Sequence, residues 1–250
     1  MQKSRETDGR RWTLTLALAP LVAGGCGLGT LLSAPWITDA DDDSVVFIGD
    51  SIFALSGEIQ DALHATAGGT FRNYTTSGAE LSGGAVQPSI AAQFDRALLD
   101  DSSFDTVVMD GGGNDILIPA VALGDPYDCK TQWYEFGRLS RSCRDFIDDL
   151  YVEVVDFIND MGAVGVSDVV YLGYYHTGPG LLLADDLDEA VDYGDAILAS
   201  ACANAAPDCG FVDPRPVMSN ADIIIDGVHP ATSGSQAIAG LIWTELSPRL

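Results

Sequence analysis

Ser51, Asn114, Asp226 and His229 occur in short motifs that follow predicted strands or lie near the C-terminus. Ser51 ends a Gly-Asp-Ser tripeptide and Asn114 follows a run of glycines, while Asp226 and His229 are three residues apart. That spacing lets a carboxylate reach an imidazole. A Ser hydroxyl is a poor nucleophile until a neighbouring base takes its proton, and His is the base suited to neutral pH. These residue types indicate acyl transfer through a Ser nucleophile, with the Asn114 amide able to donate to an oxyanion.

Each motif also has an ordinary structural interpretation. Ser51 could cap a helix, Asn114 could occupy a left-handed turn, and His229 could be a surface loop residue. Gly78, in the segment 73–79, either lets the backbone approach a ligand closely or forms a simple turn. The four motifs together, in this order, favour a catalytic site over four unrelated local features.

Short apolar runs alternate with amphipathic stretches from residue 44 onward, which predicts strands alternating with helices. Such alternation predicts an α/β fold with a parallel sheet covered on both faces. The segment 124–142 has no clear period and indicates an insertion before the long helix. The predicted strands are 45–48, 71–74, 106–109, 169–175 and 211–212, and the predicted helices are 52–66, 89–99, 143–161, 184–204 and 232–245.

The motifs around Ser51, Gly78, Asn114 and His229 resemble, in type and order, the sequence blocks of the SGNH (GDSL-type) hydrolases. The resemblance covers residues 44–250. It implies a flavodoxin-like three-layer α/β/α sandwich with a parallel sheet and a Ser-His-Asp active site. The α/β-hydrolase motif Gly-x-Ser-x-Gly does not occur in the chain, which separates it from that other class of serine esterase.

The resemblance also implies a role for each residue. Ser51 would be the nucleophile, His229 the general base, and Asp226 the carboxylate that orients the imidazole. The backbone N–H groups of Ser51 and Gly78 and the amide of Asn114 would form the oxyanion hole. The implied activity is a secreted carboxylic ester hydrolase acting on a small-molecule ester, a lipid or an acylated carbohydrate. The alternatives are an O-acyltransferase, a polysaccharide deacetylase, or a non-catalytic binding lipoprotein on the same fold.

The N-terminus is typical of an export signal. Residues 1–25 contain a basic region followed by the apolar run 14–23. The sequence Ala-Gly-Gly-Cys at 23–26 resembles the lipobox of bacterial lipoproteins, which implies a lipid on Cys26 and a flexible linker over residues 26–43. The alternative is a plain secretory signal with an incidental Cys26. We therefore expect an exported protein: a periplasmic or cell-surface lipoprotein, or a secreted one. The basic residues are Lys3, Arg5, Arg10 and Arg11.

The cysteine count fits export. The chain has five cysteines, and four remain once Cys26 is assigned to the lipid. Four cysteines allow three pairings, of which proximity in sequence favours Cys129–Cys143 with Cys202–Cys209. Disulfides belong to oxidising compartments, and the alternative is four free buried thiols.

Composition argues against several classes of partner. The formal net charge of −25, without any run of Lys or Arg, argues against nucleic acid as a partner. It also argues against adhesion of the folded domain to anionic lipid, so we expect membrane attachment only through the lipid anchor. The sequence contains no phosphate-binding loop, dinucleotide fingerprint or C-x-x-C motif. We therefore expect no cofactor and no metal.

Overall fold

The computed structural model describes residues 33–81, 83, 87–131, 138–182, 184 and 186–250. The predicted signal peptide, Cys26 and the linker as far as residue 32 lie outside these described residues. Five strands form one sheet in the order β2-β1-β3-β4-β5, and every neighbouring pair is parallel. The strands are β1 (Asp42–Ile48), β2 (Phe71–Asn73), β3 (Thr106–Met109), β4 (Asp168–Leu172) and β5 (Asp208–Val212).

Helices cover both faces of this sheet. The helices are α1 (Ser51–Ala54), α2 (Glu58–Ala67), α3 (Ile90–Asp100), α4 (Gly113–Ala122), α5 (Arg141–Ala163), α6 (Asp188–Asn204) and α7 (Thr232–Leu246). Buried side chains of α3, α5 and α6 share one core cluster with the strands, and those of α1, α2 and α7 share the other. The predicted three-layer α/β/α sandwich with a parallel, flavodoxin-like strand order is therefore confirmed.

The strands are apolar because both faces of the sheet are covered. Residues 45–48 of β1 are all fully buried, and alternate side chains of this strand enter the two opposite core clusters. The carboxyl ends of all five strands lie at one edge of the sheet, where loops from several strands meet.

One predicted helix is divided in the structure, and one helix of the structure was not predicted. The helix predicted over 52–66 is two helices, because Gly57 has a left-handed φ of 71° and separates α1 from α2. Helix α4 was not predicted. Its sequence begins at a glycine, contains Pro119 and is apolar on most sides, so it carries no helical period.

The structure also differs from the prediction in the segment before β1 and at the end of β4. Residues 33–43, predicted as part of a flexible linker, lie against the domain in the structure. Trp36 donates its indole N–H to the carbonyl of Thr75 at 3.1 Å, and Ile37 forms an antiparallel bridge with Asn73. Strand β4 ends at Leu172, three residues before the predicted end of that strand. The backbone after it turns toward α6, where Asp195 accepts a hydrogen bond from the Tyr174 N–H at 2.9 Å.

Both predicted disulfides are present, Cys129–Cys143 and Cys202–Cys209. The first ties the loop after α4 to the first turn of α5, and the second ties α6 to β5. Two disulfides are typical of proteins in an oxidising, extracytoplasmic environment. Within the described residues, no helix has the length and apolar character needed to cross a bilayer.

Removing either disulfide should lower stability while the fold is retained. The Cys129→Ala/Cys143→Ala variant loses a link across a sequence separation of 14 residues, and its free energy of unfolding should fall by about 3 kcal/mol because the unfolded chain gains entropy. The Cys202–Cys209 bridge closes a shorter loop, with a separation of 7, so the Cys202→Ala/Cys209→Ala variant should lose about 2.5 kcal/mol of unfolding free energy. Urea unfolding followed by circular dichroism measures both. Alkylation of these four cysteines in the unreduced protein would contradict the bridges.

Candidate active site

Ser51 lies at the junction between β1 and α1. The strand ends at Ile48, and Asp50 caps α1 by accepting a hydrogen bond from the N–H of Ile52 at 2.9 Å. Ser51 is therefore the first residue of the helix, where backbone N–H groups have no partner within the helix. Its side chain borders a cavity at the carboxyl edge of the sheet.

The backbone at Gly49 is held on both sides. The Gln93 side chain of α3 accepts from the Gly49 N–H at 2.7 Å and donates to the Gly49 carbonyl at 2.9 Å. The N–H of Thr76 donates to the same carbonyl at 3.1 Å. Gly49 has a φ of 151°, and a Cβ there would lie 2.1 Å from Oδ1 of Asp110, so only glycine fits. These contacts fix the turn that carries Ser51.

Two buried carboxyl groups lie directly behind the Ser51 turn. The Asp50 N–H donates to Oδ1 of Asp110 at 2.6 Å, and the Tyr174 hydroxyl donates to Oδ2 of Asp50 at 2.9 Å. Burial and the neighbouring Asp50 carboxylate raise the pKa of Asp110 well above its usual value. Oδ2 of Asp110 has no hydrogen-bond partner among the described residues. Burial therefore disfavours the charged form of both carboxyl groups, and more strongly that of Asp110.

Asp226 and His229 meet in the loop before α7. Oδ2 of Asp226 lies 2.6 Å from Nδ1 of His229, while Oδ1 accepts from the N–H groups of Val228 at 2.9 Å and His229 at 3.0 Å. Burial alone would raise the pKa of Asp226, but the donors from His229 and Val228 outweigh it and hold that pKa below its usual value. The carboxylate is ionised and faces the imidazole.

This loop is fixed to the segment after β4. The Tyr175 hydroxyl donates to the Val228 carbonyl at 2.6 Å, and the Gly178 N–H donates to the Gly227 carbonyl at 2.8 Å. Gly227 has a φ of 86°, and a Cβ there would lie 2.4 Å from the Gly178 carbonyl oxygen. The imidazole is therefore held by backbone contacts as well as by Asp226.

Burial raises the pKa of Asp50, the residue next to Ser51, and the charge of a protonated His229 imidazole opposes that rise. Nε2 of His229 is buried and has no hydrogen-bond partner among the described residues, so the bond between this nitrogen and the Ser51 hydroxyl is not formed in the structure. Catalytic hydrogen bonds are often long or absent before substrate binds.

Asn114 is the second residue of α4, and its helical position rules out the alternative of a left-handed turn residue. Its Nδ2 donates to the Ala79 carbonyl at 2.9 Å, which sets the orientation of the amide and leaves its second N–H for another acceptor. Asp115 accepts from the Leu81 N–H at 3.0 Å. Both residues tie α4 to the segment that contains Gly78, which has a left-handed φ of 78°.

Sequence reasoning missed Gln93, Asp110 and Tyr174 as supports of the site. Asp110 directly follows the strand predicted over 106–109, and Tyr174 is the second-last residue of the strand predicted over 169–175, so their positions at strand ends were visible signals. Gln93 lies on a helix in an unremarkable context, and nothing in the sequence links it to Gly49. The described residues contain no group of three or more His, Cys, Asp or Glu side chains that could hold a metal ion.

No protein-family model matches the chain, and no curated protein matches its sequence. Solved structures do match its fold. A lipase from a goat rumen metagenome is 16% identical with a TM-score of 0.57, covering 82% of this chain and 97% of its own. A catalytic mutant of an acetylxylan esterase from Geobacillus stearothermophilus is 15% identical with a TM-score of 0.55, and the match covers 84% of this chain and 96% of the esterase.

A protein from Slackia heliotrinireducens, proposed to be an SGNH hydrolase, is 17% identical with a TM-score of 0.51, covering 82% of this chain and 100% of its own. At these identities the likeness concerns the fold alone. It agrees with the order of strands and with the helices on both faces of the sheet. The chain therefore has the SGNH hydrolase fold.

Proposed function

We propose that the protein is an exported serine esterase that hydrolyses carboxylic esters through an acyl-enzyme on Ser51. The observation that carries this proposal is the Asp226–His229 pair. Its carboxylate is ionised and accepts three hydrogen bonds, and Nε2 of the imidazole is buried without a hydrogen-bond partner among the described residues. The solved structures with this fold include esterases and a lipase, which supports the same class of reaction.

In the proposed first step, Nε2 of His229 takes the proton of the Ser51 hydroxyl as Oγ attacks the ester carbonyl carbon. Asp226 stabilises the imidazolium that forms. The carbonyl oxygen becomes an oxyanion, which the backbone N–H groups of Ser51 and Gly78 and the second amide N–H of Asn114 stabilise. Collapse of this intermediate breaks the bond to the alcohol, which leaves with the proton from His229.

In the second step, water replaces the alcohol. His229 takes a proton from the water as its oxygen attacks the acyl carbon, and a second oxyanion forms in the same position. Collapse returns the proton to Oγ of Ser51 and releases the carboxylic acid. A sugar hydroxyl in place of water would give the acyltransferase alternative, which product analysis distinguishes.

Replacing the proposed nucleophile or base should abolish turnover of p-nitrophenyl acetate without unfolding the domain. We expect Ser51→Ala and His229→Ala each to lower kcat by about 10⁴-fold or more, because the two residues act as one unit. Asp226→Asn should cost about tenfold to a hundredfold less, since the Tyr175 contact still holds the loop. Ser56→Ala, an exposed serine that follows α1, is the matched control. Near wild-type turnover by a folded Ser51→Ala variant would exclude Ser51 as the nucleophile.

Asn114 should act on the transition state. Asn114→Ala should lower kcat about 10²–10³-fold with KM nearly unchanged, because its donor acts on charge that develops only during attack. Asp115→Ala is the matched control: it breaks the neighbouring tie to Leu81 and leaves the Asn114 amide in place. Equal losses of kcat in the two variants would mean that Asn114 only holds the loop.

We also propose that Cys26 carries a lipid that anchors the protein outside the cytoplasm. In a bacterial host, the protein should fractionate with membranes, and Cys26→Ser should release it into the soluble exported fraction, because the acceptor thiol is lost. Gly27→Ser is the matched control and should stay with membranes. Mass spectrometry of the mature N-terminal peptide measures the added lipid. Membrane retention of Cys26→Ser would argue against the anchor.

A further inference from the structure

An apolar cavity lies between α4, α5 and α6 and reaches the Ser51 turn. Its volume is about 80 Å³, and its lining includes Ser51 and Asn114 at one end. Folded proteins fill most of their interior, so a cavity of this size next to the proposed nucleophile needs an explanation. The apolar lining side chains that the argument uses are Ile116, Leu117, Ile147, Leu150, Leu187 and Leu198.

Gly194 marks the same space on α6. It is buried in the middle of a helix of 17 residues, and a Cβ at this position would have no described atom within 4 Å. Glycine inside a helix is less stable than alanine, and an alanine methyl would here gain burial as well. Glycine at position 194 therefore makes the fold less stable than alanine would and leaves the space open. Such a lower stability is expected where a ligand fills the space during function.

Most polar side chains that border the cavity away from Ser51 and Asn114 are hydrogen-bonded within the protein, and Oδ2 of Asp195 is the exception among the described residues. Tyr174 donates its hydroxyl to Asp50 and its backbone N–H to Asp195, each at 2.9 Å. Nε of Arg215 lies 3.5 Å from the other carboxyl oxygen of Asp195. A sugar would need donors and acceptors for several hydroxyl groups, and among these groups only Oδ2 of Asp195 lacks a hydrogen bond within the described residues. An alkyl chain needs none.

We propose that this cavity binds the apolar acyl chain of the ester, with a butanoyl group as the best fit. The assignment rests on the proposed function, since it places the acyl carbon at Oγ of Ser51. A dry cavity of about 150 Å³ is known to hold benzene, so about 80 Å³ holds roughly three methyl or methylene groups. With the carbonyl carbon at Ser51, three carbons beyond it make a four-carbon acyl group.

Substrate preference tests the assignment. We expect kcat/KM to rise about fourfold for each carbon from p-nitrophenyl acetate to the propanoate and butanoate, because each added methylene is buried. Beyond four carbons the rise should stop, because the cavity is full. The ratio of kcat/KM for butanoate to that for acetate is the readout, and wild type should give about 15.

Gly194 variants locate the preference in the cavity. Gly194→Ala should lower the butanoate-to-acetate ratio partly, and Gly194→Leu should lower it about 15-fold, to near unity, because its side chain fills the same volume. Gly240→Leu is the matched control: Gly240 is also inside a helix, on α7, and is exposed with open space around it. Its ratio should stay at the wild-type value.

A binding measurement separates this inference from the proposed function. Butanamide should bind Ser51→Ala about 15-fold more tightly than acetamide does, and Ser51→Ala/Gly194→Leu should lose that difference, as measured by NMR titration. Hydrolysis of acetate without a butanoate preference, or an unchanged ratio in Gly194→Leu, would overturn the acyl-chain assignment and leave the esterase intact. Failure to hydrolyse any ester would overturn the proposed function, and equal binding of the two amides would overturn the cavity assignment.

Discussion

The candidate site depends on the pair of hydrogen bonds between the Gln93 side-chain amide and the backbone of Gly49. This pair satisfies the N–H and the carbonyl of a residue that has no room for a side chain. A buried polar group without a partner costs about 1–3 kcal/mol, so these bonds are strongly favoured over any shifted turn. Because Thr76 donates to the same carbonyl, the turn before Ser51 and the segment leading to Gly78 are fixed from one residue. The proposed nucleophile and one proposed oxyanion donor therefore share a single support.

Charge in the site follows from burial and from the number of donors on each carboxyl. Asp226 receives two backbone N–H groups and the imidazole, so it is ionised although it is partly buried. Asp110 is fully buried beside Asp50, and both effects raise the pKa of its carboxyl group. In the proposed reaction, the ionised carboxylate of Asp226 would favour the imidazolium of His229 that forms in the transition state.

Much of the fold was predictable because parallel strands covered on both faces are continuous apolar runs. The strand over 106–109 agrees to the residue, and the helices predicted over 143–161 and 232–245 were located from their buried faces. Helix α4 was not predictable, since its buried surface is the local cavity and the disulfide loop rather than the sheet, and its sequence has no helical period. The break at Gly57 was missed because one glycine between two stretches of the same periodicity leaves the pattern intact.

The candidate site divides in the same way. Ser51, Asn114 and the Asp226–His229 pair were predictable because local motifs carry them at strand ends and within one loop. Their supports were not predictable. Gln93 reaches Gly49 across 44 residues of sequence, and Tyr174 reaches Asp50 across 124. Only the tertiary fold brings such pairs together, so the sequence shows the reacting groups but not the residues that hold them in place.

Substrate preference cannot follow from the fold, since this architecture is shared by a lipase and an acetylxylan esterase at identities of 16% and 15%. The distinction must come from the walls around the nucleophile, and here those walls are α4, α5 and α6. Gly194 is the informative position, because a buried helical glycine facing open space lowers stability by about 0.5–1 kcal/mol relative to alanine. Neither the helix nor the core needs that glycine. The remaining physical reason for it is volume, and volume beside Ser51 is what an acyl chain would occupy.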